Sequence, residues 1–222
     1  MRGRLYVSIS LLISVLALPS ASFCQQTVLN ASATTAVSET AVSETASDAP
    51  VATEKPQKLG KPIQLANGYF QLTPPSGWLV KKPATRIVQY EYAVPKVKDD
   101  PADGRITIMG AGGSVKANVD RWIGQFSQTD GTATRDRAKI TKKELAGQVV
   151  HSVDIAGSFA DKPRGPFGPS IQREKYRMLG AIVVSKNKGQ YFVKMYGPAK
   201  TIAAAAPSFH KFIESLEVTA PK

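Results

Sequence analysis

The sequence predicts an α+β domain, an antiparallel sheet that carries helices, and three observations lead there. Apolar residues alternate with polar ones in several short segments, as in Arg86–Val94, where Ile87, Val88, Tyr90 and Tyr92 interleave with Gln89 and Glu91. Between residues 115 and 126 the spacing changes to three- and four-residue steps, the period of a helix. Lys186-Asn-Lys-Gly189 separates two apolar runs, and Asn and Gly tolerate the positive φ of a tight hairpin, so those runs pair antiparallel.

Taken in order, Tyr69–Thr73 reads as a strand that stops at Pro74-Pro75. Arg86–Val94 and Arg105–Met109 follow as the second and third. Gly110-Ala-Gly-Gly113 is a low-bulk turn into a helix capped by Ser114, with Val115, Val119, Trp122, Ile123 and Phe126 on one stripe. Lys116, Asp120 and Arg121 fall on its other side, and Gly131 closes the region. Ala138–Leu145 and Gln148–Ile155 read as strands joined at Ala146-Gly147. Asp161–Ser170 contains Pro163, Gly165, Pro166, Gly168 and Pro169, so a long loop is expected. Tyr176–Ser185 and Gln190–Tyr196 form the hairpin already named. A last helix opens at Pro207 or Ser208 and presents Phe209, Phe212, Ile213 and Leu216.

Three segments precede or make up this domain. Residues 1–22 have the form of a signal peptide: Arg2 and Arg4, an apolar run Leu5–Leu18, then Pro19-Ser-Ala-Ser22. That run of about 14 residues is short of the ~20 a helical span needs. Export, to the periplasm or beyond, is the expected address. Cys24 is the only cysteine, so no intramolecular disulfide is available. Its place behind the apolar run raises lipid anchoring as an alternative, against which the bulky Phe23 argues. Residues 23–60 form a linker rich in Ala, Ser and Thr, with Ala36-Val-Ser-Glu-Thr40 repeated at Ala41–Thr45, too poor in large apolar groups to fold alone. The globular domain is assigned to 61–222, with its motifs between Lys61 and Val218.

The chain carries a net charge of +12. The first 60 residues hold four of its 29 basic and four of its 17 acidic side chains, so the excess belongs to the domain. Such an excess suits an acidic protein or an anionic envelope polymer, or serves solubility alone. Nucleic acid is set aside, because an exported chain does not meet it and no stacking or Arg-rich motif is present.

The run Phe70-Gln-Leu-Thr-Pro-Pro-Ser-Gly-Trp78 is similar to the strand and P-x-G-W opening of the PsbP-like superfamily. Asn118-Val-Asp-Arg-Trp122, Tyr191-Phe-Val-Lys-Met-Tyr-Gly-Pro198 and the closing Phe209–Leu216 stripe agree in order and spacing over most of residues 62–218. The resemblance implies an α/β/α sandwich, a central antiparallel sheet flanked by helices, and a non-enzymatic binding or accessory role. That superfamily includes the photosystem II subunit PsbP, a Ran-binding factor and bacterial exported lipoproteins. They share a scaffold and not a partner. The basic charge and the proline-rich loop depart from the pattern.

The chemical inventory is thin. His151 and His210 are the only histidines and sit in different elements, so neither a metal nor another cofactor is expected. Gly110-Ala-Gly-Gly113 lacks the third glycine of a dinucleotide turn, since Val115 stands there, and no Gly-Lys-Ser/Thr occurs. Gly-x-Ser-x-Gly is absent, and Asp99-Asp100 reads as a solvated turn rather than a Ca²⁺ site. No catalytic residue is assigned. The candidate contacts for an anionic partner are basic: Lys139, Lys142 and Lys143 on one strand, and Arg164, Arg173, Lys175 and Arg177 beside the proline-rich loop. Residues two apart on a strand share a face, so Arg173, Lys175 and Arg177 are expected to point the same way. The reading is an exported binding module without catalysis. A hydrolase with an unfamiliar pocket and a purely structural envelope protein are the alternatives.

Overall fold

Period-two alternation gives the central sheet two apolar faces, and each acquires its own helix. The computed structural model describes residues 59–163 and 168–219. The leader, residues 23–58 with Cys24, and Arg164 lie outside the described residues. Strands β1 (Ile63–Leu65), β2 (Phe70–Leu72), β3 (Leu79–Lys81), β4 (Tyr90–Val94) and β5 (Gly104–Ala111) come first. Helix α1 (Val115–Ile123), β6 (Phe126–Ser127) and the single-turn α2 (Thr134–Arg137) occupy the middle. Then follow β7 (Lys139–Leu145), β8 (Gln148–Asp161), β9 (Ile171–Ser185), β10 (Gly189–Pro198), α3 (Ala199–Glu214) and β11 (Glu217–Val218).

Eight strands form one antiparallel sheet in the order β3-β4-β5-β10-β9-β8-β6, with β7 also paired to β8. A three-stranded sheet, β1-β2-β11, ties the last strand back to the first ones. On β10, Tyr191, Val193 and Met195 join the α3 side of the core while Phe192 joins the α1 side. On β9, Leu179, Ala181 and Val183 go to α3, and Met178 and Ile182 go to α1. The result is the α+β sandwich with a helix on each face.

The α3 face holds the larger core. Phe209 and Phe212 are buried there, the latter edge-on to Trp78 at 5.2 Å. Each such ring contributes about 2–3 kcal/mol through burial. On the other face Trp122 packs edge-on against Phe192 at 5.2 Å. It sits over Gly180, where an added Cβ would lie 2.5 Å from the indole. Ser114 caps α1 as expected, its hydroxyl accepting from the Ala117 N–H at 3.1 Å.

Five expectations change. The strand expected over Arg86–Val94 begins only at Tyr90, because Arg86 and Ile87 lie in a turn that leaves Ile87 exposed. The final helix starts at Ala199, not at Pro207 or Ser208, and Pro207 lies inside it. The run Ala203–Ala206 has the strongest helix propensity of any residue type, and it carries the helix across a proline that removes one N–H donor. Phe126 leaves the α1 stripe and enters β6, because Gly124 ends the helix. Strands β8 and β9 each reach farther toward the proline-rich loop than their alternation suggests. Asp100 is not in a solvated turn. It is buried, and its Oδ2 accepts from Thr201 N–H at 2.8 Å and from Thr201 Oγ1 at 2.6 Å. Pro198, at the N-cap of α3, offers no side-chain acceptor, so Asp100 caps that helix from another loop.

Candidate functional site

The basic residues singled out from the sequence divide between the two faces of the sheet. Lys175 has φ +54°, a left-handed conformation in a strand, and the β8–β9 register slips between Gly157 and Phe159. This extra residue breaks the alternation. Arg173 therefore lies on the α1 face, with Nε 3.5 Å from Asp161 Oδ2, whereas Arg177 lies on the α3 face. Arg177 grips Asp154 with two hydrogen bonds, of 2.9 and 2.8 Å. The expectation that Arg173, Lys175 and Arg177 share a face is overturned, and Lys175 is left exposed between them. Strand β7 divides in the same manner. Lys139 and Lys143 pair opposite Asp154 and Val150 on the α3 face, and Lys142 pairs opposite His151 on the other. Lys143 is bound to Glu214 of α3 at 3.0 Å. His151 is held below its ordinary pKa mainly by burial, with Lys142 adding to the shift.

What the fold does bring together is a groove of about 450 Å³ on the α3 face. It is lined by Arg137, Lys139, Arg177 and Lys200, with Ala156, Ala199 and Ala203 between them. Asp154 is its acidic wall residue, and that carboxylate is occupied by Arg177. Arg137 is paired with Asp130. Lys139 and Lys200 have no ion pair among the described residues. Lys139 is placed by the β7 ladder and Lys200 by the first turn of α3, so both residues line one concavity. Sequence spacing could not join them, because Lys139 and Lys200 are far apart in the chain and meet only through the β7–β8–β9 pairing.

The α1 face carries a second concavity. Helix α1 spans about 13–14 Å at 1.5 Å per residue, while ten-residue β10 runs over about 33 Å. One short helix leaves the far end of the sheet open. There Arg105 makes paired hydrogen bonds to Glu91 at 2.8 and 3.0 Å and a third to Tyr196 Oη at 2.8 Å. The guanidinium holds the Glu91 carboxyl below the usual range. Next to Tyr196 is Lys194, in the centre of a strand whose neighbours are buried. Lys194 was not singled out from the sequence, although a lysine inside Tyr191–Tyr196, an otherwise apolar run, was the available signal.

No family model matches the chain, and no curated protein matches it. Solved structures similar to it include cyanobacterial PsbP (CyanoP) from Synechocystis sp. PCC 6803, at 12% identity over 74% of this chain and 95% of that one, with a TM-score of 0.44. The Saccharomyces cerevisiae Ran-binding protein Mog1p is similar at 9% identity, over 73% and 96% of the two chains, with a TM-score of 0.40. LpqN, involved in cell envelope biogenesis of Mycobacterium tuberculosis, is similar at 9% identity, over 72% and 90%, with a TM-score of 0.42. The α+β class itself follows from this chain's own strand order and helix placement.

Proposed function

We propose that this chain is an exported binding module that holds an acidic segment of a partner protein in the groove between β7, β9 and the first turn of α3. The observation that carries the reading is the convergence of Arg137, Lys139, Arg177 and Lys200 on one groove, with Lys139 and Lys200 lacking a carboxylate of their own among the described residues. Carboxylates of the partner would supply the missing counter-ions, and the surrounding positive field would speed encounter. The domain's basic excess supports this, and the leader-like 1–22 segment supports export. Binding rather than catalysis is the proposed role. No described helix is long and apolar enough to cross a membrane.

The test uses the full mature chain and a fluorescein-labelled Asp/Glu decapeptide, read by anisotropy at 50 and 200 mM NaCl. The Lys139→Glu/Lys200→Glu protein should bind about tenfold or more weakly and show a flatter salt dependence. Lys142→Glu, on the opposite face, should stay within twofold of the parent. Equal binding by the double variant and the parent would remove the groove from consideration. Binding to phosphatidylglycerol vesicles but not to the peptide would replace the acidic protein with a lipid surface.

A further inference from the structure

A half-buried ammonium with no carboxylate in ion-pair reach stands in the middle of β10. Lys194 Nζ donates to Gln125 Oε1 at 2.5 Å and lies 5.3 and 5.2 Å from the ring centres of Phe159 and Tyr196. An ammonium has three N–H donors, so one polar partner and two ring faces leave capacity unused. Gln125 is itself fixed, because it follows the end of α1 and its carbonyl accepts from Ala160 N–H at 2.8 Å. The amine opens onto a cleft of about 530 Å³, within the size range of small-molecule sites. Arg121, Lys162 and Lys194 bring positive charge to its wall, and Asp161 is the acidic residue there. That carboxylate is turned toward Arg173 of β9. Arg121 spends one donor on Asn118 Oδ1 at 2.8 Å and keeps others for a ligand.

Two of the lining residues are aromatic, the buried Phe159 and the half-buried Tyr196. Phe159 and Tyr196 are 5.2 Å apart, and Phe159 stacks on Tyr176 with an interplanar angle of 10°. A cleft lined by cations and bordered by the half-buried Tyr196 ring suits a small anion that carries a flat apolar part. We infer that the Lys194 cleft binds a small organic carboxylate bearing a planar ring, with its carboxylate between Lys194 and Arg121 and its ring against Tyr196. This site is on the opposite sheet face from the groove of the proposed function and does not depend on it.

Protonation is coupled to this occupancy. Burial, with Arg121 next in weight, lowers Lys194 to about 7. Asp161 of β8 opposes that shift, Arg105 of β5 adds to it, and Tyr196 on the same strand and Glu91 of β4 complete the ionisable surroundings along with Arg173 of β9 and Lys162. A bound carboxylate favours the charged amine, so binding above neutral pH draws a proton from solvent.

The experiment titrates the protein with 2-naphthoate by calorimetry at pH 8 in phosphate and in Tris, with neutral 2-naphthylmethanol alongside. Millimolar or tighter binding of the acid, weak binding of the alcohol and a buffer-dependent enthalpy showing proton uptake are expected. Lys194→Met, which keeps the stem and its volume, should lower affinity about tenfold and abolish the uptake. Arg121→Gln changes an exposed side chain, so it reports on the site even if Lys194→Met does not fold, and should weaken binding several-fold. The inference fails if naphthoate shows no binding at 10 mM, if the alcohol binds equally well, or if neither variant alters the affinity. Lys139→Glu/Lys200→Glu should leave naphthoate binding unchanged, which separates failure here from failure of the acidic-partner reading.

Discussion

Adding one methyl group at Gly180 should destabilise the domain and loosen the helix that walls the Lys194 cleft. Gly180 lies in β9, paired with Lys194 on one side and Val153 on the other. A Cβ placed there would meet Trp122 at 2.5, 2.9 and 3.3 Å. Contacts near 2.5 Å are far inside the normal carbon–carbon separation of about 3.5–4.0 Å. A central strand paired on both sides cannot shift by an ångström, so the indole and α1 have to move instead. Overpacking of this kind costs about 1–3 kcal/mol. Taking about 2 kcal/mol, and 2–4 °C per kcal/mol for a domain of this size, the melting midpoint should fall by about 4–8 °C. Circular dichroism melts of the parent, Gly180→Ala, Trp122→Leu and the double variant form a cycle. The added methyl should cost markedly less in the Trp122→Leu background, because the ring it strikes is gone. A Gly180→Ala midpoint within about 1 °C of the parent's, or an equal cost in both backgrounds, would refute the contact as the cause.

Two further outcomes follow from buried polar contacts. Asp100→Ala removes the acceptor for Thr201 N–H and Oγ1 and should cost about 2–3 kcal/mol in urea unfolding, above an ordinary exposed cap because the donors left behind are buried; a change under about 0.5 kcal/mol would mean that Asp100 does not cap α3. Glu91 has a lowered folded-state pKa, chiefly through its hydrogen bonds to Arg105, so its contribution is present above the unfolded carboxylate range, about pH 4.3, and is lost as the pH falls through the lower folded value. Glu91→Gln should therefore be less stable than the parent at pH 6 and approach it as the pH falls through the lowered folded value, and a pH-independent difference would count against the pairing.

Most of the sheet was legible because period-two alternation is a local property, and a strand buried on both faces still stops at turn residues such as Lys186–Gly189. The two helices differed in legibility. Ser114 and the Val115–Ile123 stripe announce α1, but the start of α3 is concealed by its alanines and by Pro207. Its cap comes from Asp100, about a hundred residues earlier, where no spacing rule reaches. The site was harder still. Face assignment by parity assumes an unbroken strand, and a single residue at positive φ, Lys175, sends Arg173 and Arg177 to opposite sides. Lys194 stood in plain view within β10, yet its meaning depends on Gln125, Phe159 and Arg121, which long-range pairing brings to it.

Strand β7 has a further consequence, for how the chain behaves among its own copies. Among the described strands it pairs with β8 alone, which makes it an edge of the sheet. Lys139, Lys142, Lys143 and Glu144 are all exposed along it, and at the opposite end of the sheet β3 is only three residues long. An incoming extended chain that tried to add a ninth strand would have to approach a row of ammonium groups, and a second copy would bring its own row to meet them. Lys142, which faces away from the α3 groove, thus has physical work to do at the rim: it helps end the sheet at eight strands and keeps an exposed ladder from becoming a template for fibrous growth.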